Sequence, residues 1–483
     1  MRTKTTIFAI PTNRLRDVAE TVEIYDRHFW SNGHSVKIMI FDDSTVANHE
    51  KYYAKLEQTK TVNDLYYIGP HEKEAFIRFL NRKLRDRKLE SLVRNLFRPS
   101  YGGNRNFTLM YTLGTTLISA DDDMRPHALI EDSPESLQAD EISRGKLMKR
   151  DDTRIIHKSF DLLTSFHDVL GRRVGDLPAN YEKGELLVDT AMDLETNVSK
   201  SFAGDNALLL KRGSLHNQAV VKIAQTFRTG TNDIDALDFV HMYLRNESQH
   251  QLNLHEFEDL YVLVNFRPVV TNKNWRMDCG VAGYDNRLGL PPFFPTRLRF
   301  EDYIFRLWIQ KPGIVAAHVD AVQTHVKNDY MRNPLAMDVF NEEICTLLKK
   351  KIRASVTGVG DLSIRFTYNG EVSLNDTREI LEKITGVHQQ ILESARRTKN
   401  AKRRQALTFF AENLARCFYG FEPDFFQQNV TRIVDDVISV IHASLELWPT
   451  LVEICYFHKD KKDLPQLRVK NKKLKGHNGR TIA

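Results

Sequence analysis

Four cysteines in 483 residues, Cys279, Cys345, Cys417 and Cys455, stand too far apart for a disulfide framework or a C-x-x-C zinc knuckle. They read as buried free thiols of a reducing compartment. Long apolar runs are missing as well. Thr6-Ile7-Phe8-Ala9-Ile10, which follows Met1-Arg2-Thr3-Lys4, is too short for a signal-peptide core, and no later stretch reads as a membrane span. The expected location is therefore the cytoplasm. Internal repeats and long low-complexity linkers are absent too. So is a large charge of one sign: the net charge is only +6. Much of that excess falls in Lys459, Lys461, Lys462, Arg468, Lys470, Lys472, Lys473, Lys475 and Arg480, which read as a solvated basic tail over 459–483. Such a tail suits peripheral contact with the inner face of a membrane. Nucleic acid is not an expected partner.

Hydrophobic residues at 41 % are enough for sizeable cores, and they are patterned. Residues 5–10 form a predicted buried strand and Arg14 to Trp30 an amphipathic helix, with Val18, Val22, Ile24, Tyr25 and Phe29 on its apolar face. Val36 to Phe41 and Leu65 to Ile68 are further strands, and 72–97 is helical. Gly102-Gly103-Asn104-Arg105-Asn106 opens a short helix, Phe107 to Thr112, that leads into the strand Leu117-Ile118-Ser119-Ala120. Strands alternating with helices predict an α/β fold with a mostly parallel, Rossmann-like sheet flanked by helices. Residues 131–200 are polar and irregular and read as an insertion or lid. Gly204-Asp205-Asn206-Ala207-Leu208-Leu209-Leu210 reads as the return to the sheet, and Ile314 to Val319 as its last strand. Residues 1–350 thus form one domain. Beyond it, 351–458 reads as a separate, mainly helical domain with long helices at Ile380 to Arg397, Arg403 to Cys417 and Val430 to Tyr456.

Open parallel sheets bind ligands beyond the carboxyl ends of their strands. Three polar groups fall there: Pro11-Thr12-Asn13-Arg14, Asp42-Asp43-Ser44 and Asp121-Asp122-Asp123. Hard cations such as Mg²⁺ take carboxylate oxygens together with substrate phosphates, so acids closing an apolar strand point to a metal-bound diphosphate. Asp233-Ile234-Asp235 has the same spacing but no strand before it. Glu301-Asp302 opens a helix whose buried face is Ile304, Leu307 and Trp308; carboxylates there either cap the helix or serve as a general base. His325 follows the last strand, and His318 lies within it.

In that order these pieces resemble a GT-A glycosyltransferase of the family 2-like, inverting group. The resemblance covers residues 5 to about 330 and rests on Ala9 to Arg14, Phe41 to Ser44, Gly103 to Asn106, Asp121 to Asp123, Gly204 to Asn206, Glu301-Asp302 and His325. It implies a nucleoside held by Pro11, Thr12, Asn13, Arg14, Asp42 and Asp43. Asn104, Arg105 and Asp122 would support the nucleotide, and Asp121, Asp123 and His325 would hold Mn²⁺ or Mg²⁺. Asp302 would be the base, with Glu301 facing the acceptor. Trp275 and Tyr284, on the loop before that pair, either stack against an acceptor sugar or pack into the core. The donor would be a nucleoside-diphosphate sugar, and the acceptor a hydroxyl of a glycan, a lipid or another molecule. The helical block 72–97 and the stretch 131–200 exceed the family's minimal layout.

Two other enzymes share the sheet type. A nucleotidyltransferase needs a glycine-rich, lysine-containing loop after Ile10, which this sequence lacks. An Asp-based phosphotransferase needs Thr or Val two places after its second acid, where Asp121-Asp122-Asp123-Met124-Arg125 does not supply it. A binding protein acting through its basic tail is the non-enzymatic alternative.

Overall fold

The computed structural model describes residues 6–14, 17–126, 128–131, 160–183, 220–229, 236–245, 279–295, 315–325, 335–356, 364–368, 371–458 and 464–473. Shorter pieces are described at 146–149, 155–158, 186–189, 207–210, 259–262, 269–270, 298, 301–302 and 305. Trp275, Gly204 to Asn206 and Asp233 to Asp235 lie outside the described residues.

The N-terminal half is built of parallel strands. β1 (Thr6–Thr12) is buried at every position except the half-buried Pro11, as a strand covered on both faces must be. It pairs in parallel with β2 (Lys37–Asp42), which pairs in parallel with β3 (Asp64–Ile68). On its other side β1 pairs in parallel with β4 (Thr116–Ala120). The strand order is therefore 3-2-1-4, and it reverses direction between β1 and β4.

Helices cover both faces. α1 (Val18–Ser31) buries Val18, Val22, Tyr25 and Phe29 at three- and four-residue spacing. The Phe8 ring sits 4.6 Å from that of Tyr25 and 4.8 Å from that of Phe29. α2 (His49–Gln58) lies on the same side through Tyr52 and Leu56. The opposite face carries α3 (Pro70–Leu84), α4 (Glu90–Leu96) and α5 (Tyr101–Tyr111). The glycines that were expected to precede α5 form its first turn, capped by the Ser100 hydroxyl, which accepts from the Gly103 amide. A Cβ at Gly102 would stand 2.2 Å from the Phe294 carbonyl oxygen and one at Gly103 2.0 Å from that of Arg98, so only glycine fits this close approach.

The C-terminal half extends the sheet as a mixed one. β5 (Val221–Thr229) and β7 (Val315–His325) are parallel to each other, and β6 (Val281–Asp285) runs antiparallel between β5 and β4. The return to the sheet is thus β5. Ala207–Leu210, expected in that role, pairs instead with Leu186–Asp189 in a separate hairpin. The stretch read as a lid also holds core: Leu162, Leu163 and Phe166 of α6 (Leu162–His167) are fully buried with Phe8, Tyr25 and Ile118.

The helical part joins the sheet through one continuous core. α7 (Ala236–Arg245), α8 (Leu335–Lys351), α9 (Leu374–Arg397), α10 (Ala401–Cys417) and α11 (Pro423–His458) pack with α3 to α5 in a single apolar cluster. Trp448 of α11 stacks on Phe97 at 6.3 Å and donates its indole N–H to the Leu290 carbonyl at 2.6 Å. Residues 351–458 are therefore not detached from the first domain. At 36 residues α11 is long and apolar enough to cross a membrane, which the sequence reading missed. Phe426, Val430, Val434, Val437, Ile441, Leu445, Trp448, Leu451 and Cys455 nevertheless form a buried stripe along it, as in a core helix.

Residues 464–473 of the basic tail dock on the sheet. β8 (Leu467–Arg468) adds to the sheet antiparallel to β3, and Lys472–Lys473 pairs with Lys60–Thr61. Val469 is 4 % exposed, the Pro465 carbonyl accepts from the Tyr111 hydroxyl at 2.7 Å, and Arg468 pairs with Asp64 at 2.8 Å. This segment covers what would otherwise be an open sheet edge.

Candidate functional site

The point where the strand order reverses is where an open α/β sheet leaves a crevice beyond its carboxyl ends. Here that point is flanked by Thr12 at the end of β1, by Arg14 just beyond it, and by Asp121, Asp122 and Asp123 after β4. The two segments are tied directly. Thr12 Oγ1 donates to Asp122 Oδ2 at 2.5 Å, and the Arg14 guanidinium bridges Asp122 and Asp123, reaching Asp123 Oδ2 at 2.8 Å. The Thr21 hydroxyl of α1 donates to the Asp122 carbonyl, and Arg125 donates to the Thr21 hydroxyl at 2.7 Å, which holds the turn after β4 against α1. Asn13 is exposed and Pro11 half-buried, so both sit at the rim.

A second cation enters from the other face. Arg105 of α5 is 6 % exposed; its NH2 reaches Asp121 Oδ1 at 2.9 Å, its Nε reaches Glu301 Oε1 at 3.1 Å, and its NH1 donates to the Cys279 carbonyl at 3.3 Å. Burial alone would lower this guanidinium's affinity for its proton, but the charges of Asp121 and Glu301 outweigh it and hold Arg105 above its ordinary range. Asp121 feels the opposite balance. Burial, with the like charges of Asp123, Asp122 and Glu301, pushes it up to about 7 against the pull of Arg105. Burial also raises Asp122, although Arg14 and Thr12 oppose it.

Asp121, Asp122, Asp123 and Glu301 therefore face two guanidiniums, Arg14 and Arg105. Asp121 Oδ2 accepts no hydrogen bond among the described residues, and the side chain keeps 35 % exposure. Among the described residues no three His, Cys, Asp or Glu side chains converge on one metal position. Mg²⁺, though, is usually held by one or two carboxylates plus substrate phosphates. An oxygen-only, surplus-negative rim with one carboxylate half open fits such a hard cation. His325 ends β7, where its backbone stands opposite Met124, the residue after Asp123. That register brings it to the acidic turn.

Several expected ligand contacts are instead internal. Asp42 is fully buried and accepts from the Tyr67 hydroxyl at 2.6 Å and from the Ser44 amide and hydroxyl at 2.7 Å each. Its carboxylate closes the β2 turn and does not face a nucleoside. Asn104, expected to touch nucleotide, donates to the Phe41 carbonyl at 2.9 Å and accepts from Lys73 at 2.7 Å. Tyr284 is 1 % exposed inside β6, with its hydroxyl on Cys279, so it stacks on no acceptor. Glu301 is 7 % exposed and committed to Arg105, which makes it a positioning residue rather than an acceptor contact. Asp302, next to it, is only partly buried.

Lys73 is the residue that the sequence reading missed. Its ammonium reaches Asp43 Oδ1 at 2.5 Å while Asp43 Oδ2 accepts the Ser100 amide at 3.1 Å, so α3, the β2 turn and the start of α5 share one knot. Burial lowers the Lys73 pKa against the pull of Asp43. Its place one turn after the Gly69-Pro70 helix start was the available signal, since a buried first-turn lysine beyond β3 points back over the strand ends.

No protein-family model matches this chain, and no curated protein matches it.

Proposed function

We propose that the chain is a GT-A-type glycosyltransferase that moves a sugar from a nucleoside diphosphate to an acceptor hydroxyl with inversion. One observation carries this reading: Asp121 to Asp123, Arg14, Arg105 and the Glu301-Asp302 pair gather at the carboxyl ends of the strands, at the point where the strand order reverses. Strand ends at such a reversal suit a nucleotide, and the surplus of carboxylate there suits a metal-bound diphosphate.

Within this reading each side chain has a task. Asp122 and Thr12 fix Arg14 at the rim, where its partly exposed guanidinium lies beside the departing phosphates. Glu301 holds Arg105, and Arg105 holds Asp121 in place. Asp121 and Asp123, with His325 as a third candidate, are the residues that would hold Mn²⁺ or Mg²⁺; the bound ion would offset charge on the leaving diphosphate. Asp302 accepts the proton of the acceptor hydroxyl as that oxygen bonds to the anomeric carbon and the bond to phosphate breaks. Attack opposite the leaving group inverts the centre.

Incubation with a panel of nucleoside-diphosphate sugars and simple acceptors, reading free nucleoside diphosphate, tests this. The expected result is release from one donor, abolished in Asp302→Asn with donor binding kept. Pyrophosphate as the product would favour a nucleotidyltransferase. Full turnover in Asp302→Asn would remove Asp302 as base.

A further inference from the structure

A block of cations stands on the last turn of α3 and on the segment between α3 and α4. Arg82, Lys83, Arg85, Arg87 and Lys88 are all exposed, and none of them forms an ion pair or hydrogen bond through its side chain among the described residues. The one acid within the block, Asp86, turns its Oδ1 to the Lys88 amide at 2.9 Å. The nearby Glu74 is already held by Arg94 at 2.8 Å. Arg85 ends α3 at φ +55°, in the left-handed region that glycine or asparagine occupies with less strain.

The C-terminus of α11 lies beside this block. The His458 ring is 5.4 Å from that of Phe79, and Lys83 Nζ is 5.8 Å from the centre of the same Phe79 ring. Next to His458, Phe457 is 68 % exposed, and Tyr456 is 41 % exposed. The sequence then continues into Lys459-Asp460-Lys461-Lys462. Phe457 thus adds an exposed phenyl ring to the helix end that packs beside the cations.

We propose that this corner docks on an anionic phospholipid bilayer, with Phe457 entering the boundary between headgroups and acyl chains and the five cations facing lipid phosphates. Charge complementarity selects the anionic surface, and the exposed phenyl ring selects a partner with an apolar layer beneath it. Single-stranded nucleic acid is bound in grooves that track its backbone, whereas this surface is formed by helix ends. Membrane contact was expected from the basic tail, where Arg468 and Lys470 are exposed beside the sheet edge; this corner is a second exposed basic surface, with a large apolar ring close by.

Sedimentation of the full chain with phosphatidylcholine vesicles, with and without about 30 % phosphatidylserine, tests the proposal. Binding should need the anionic lipid and weaken as salt is raised. The triple change Arg85→Glu, Arg87→Glu, Lys88→Glu should weaken it by about 100-fold or more, at roughly fivefold per cation removed. Phe457→Ser should weaken it by about tenfold or more. The pair Arg82→Glu, Lys88→Glu leaves the Arg85 turn untouched and should also lose most binding, with circular dichroism and melting unchanged in every variant. No binding to anionic vesicles, or binding equal in the folded variants and wild type, would overturn the proposal. Salt-sensitive binding to single-stranded nucleic acid with none to vesicles would also overturn it.

Discussion

Arg105→Met would remove the one buried cation shared by Asp121 and Glu301. Glu301 is 7 % exposed, so its carboxylate would be left nearly dry and unpaired beside Asp121, which itself already feels Asp122 and Asp123. Breaking a buried ion pair from one side costs roughly 3–5 kcal/mol because the remaining charge is stranded. Asp121 keeps 35 % exposure and water screens part of its charge, so the lower end, about 3 kcal/mol, is the expected loss at pH 8. Urea unfolding of the metal-free protein measures this. The midpoint should fall with the slope unchanged, and the loss should shrink at pH 5, where stranded carboxylates take up protons. Glu301→Gln in the same background should restore about half, whereas alone it should destabilise, giving a coupling above about 1 kcal/mol. Arg105→Lys should rescue poorly, since one ammonium does not reproduce the guanidinium's separate bonds to Asp121, Glu301 and the Cys279 carbonyl. A loss below about 0.5 kcal/mol for Arg105→Met, or a larger loss at pH 5 than at pH 8, would refute the network.

Three further outcomes follow from the same contacts. Removing residues 464–483 uncovers the β3 edge, Val469 and the Tyr111 hydroxyl; melting should fall by several degrees and aggregation should rise, whereas an unchanged melting curve would mean that the segment is not docked. Asp121 binds its proton more tightly folded, at about 7, than unfolded, so its contribution favours folding below about pH 4 and is lost as pH rises toward 7. Asp121→Asn should flatten that part of the melting-temperature profile in metal-free buffer, and an unaltered slope would remove Asp121 as its source. Gly102→Ala places a methyl group against the Phe294 carbonyl and should cost more than about 2 kcal/mol in urea unfolding, while the same change at Gly386, inside α9 with open space, should stabilise by up to about 1 kcal/mol.

The alternating strands and helices of the first 120 residues were legible because β1 carries an unbroken apolar run, Ile7 to Pro11, and α1 repeats its apolar residues at helical spacing. The ends of those strands were legible for the same reason. What each polar group touches was not. Asp42 and Asn104 look like ligand contacts in sequence, yet they satisfy Tyr67, Ser44, Phe41 and Lys73, partners brought near only by the folded sheet. The tail misled because its lysines hide Leu464 and Val469, two buried residues in a charged run. The stretch 131–200 misled in the same way, since Leu162, Leu163 and Phe166 are a short apolar island in polar sequence. Trp448 joins α11 to the core by stacking on a ring more than three hundred residues away, which no local pattern announces.

Calorimetric titration of the purified chain with nucleoside diphosphates, with and without Mn²⁺, tests the central claim most directly. The account predicts that one nucleotide binds only with the metal present and that Asp121→Ala abolishes this binding while the protein stays folded. Metal-independent binding, or undiminished metal-dependent binding in folded Asp121→Ala, would contradict it.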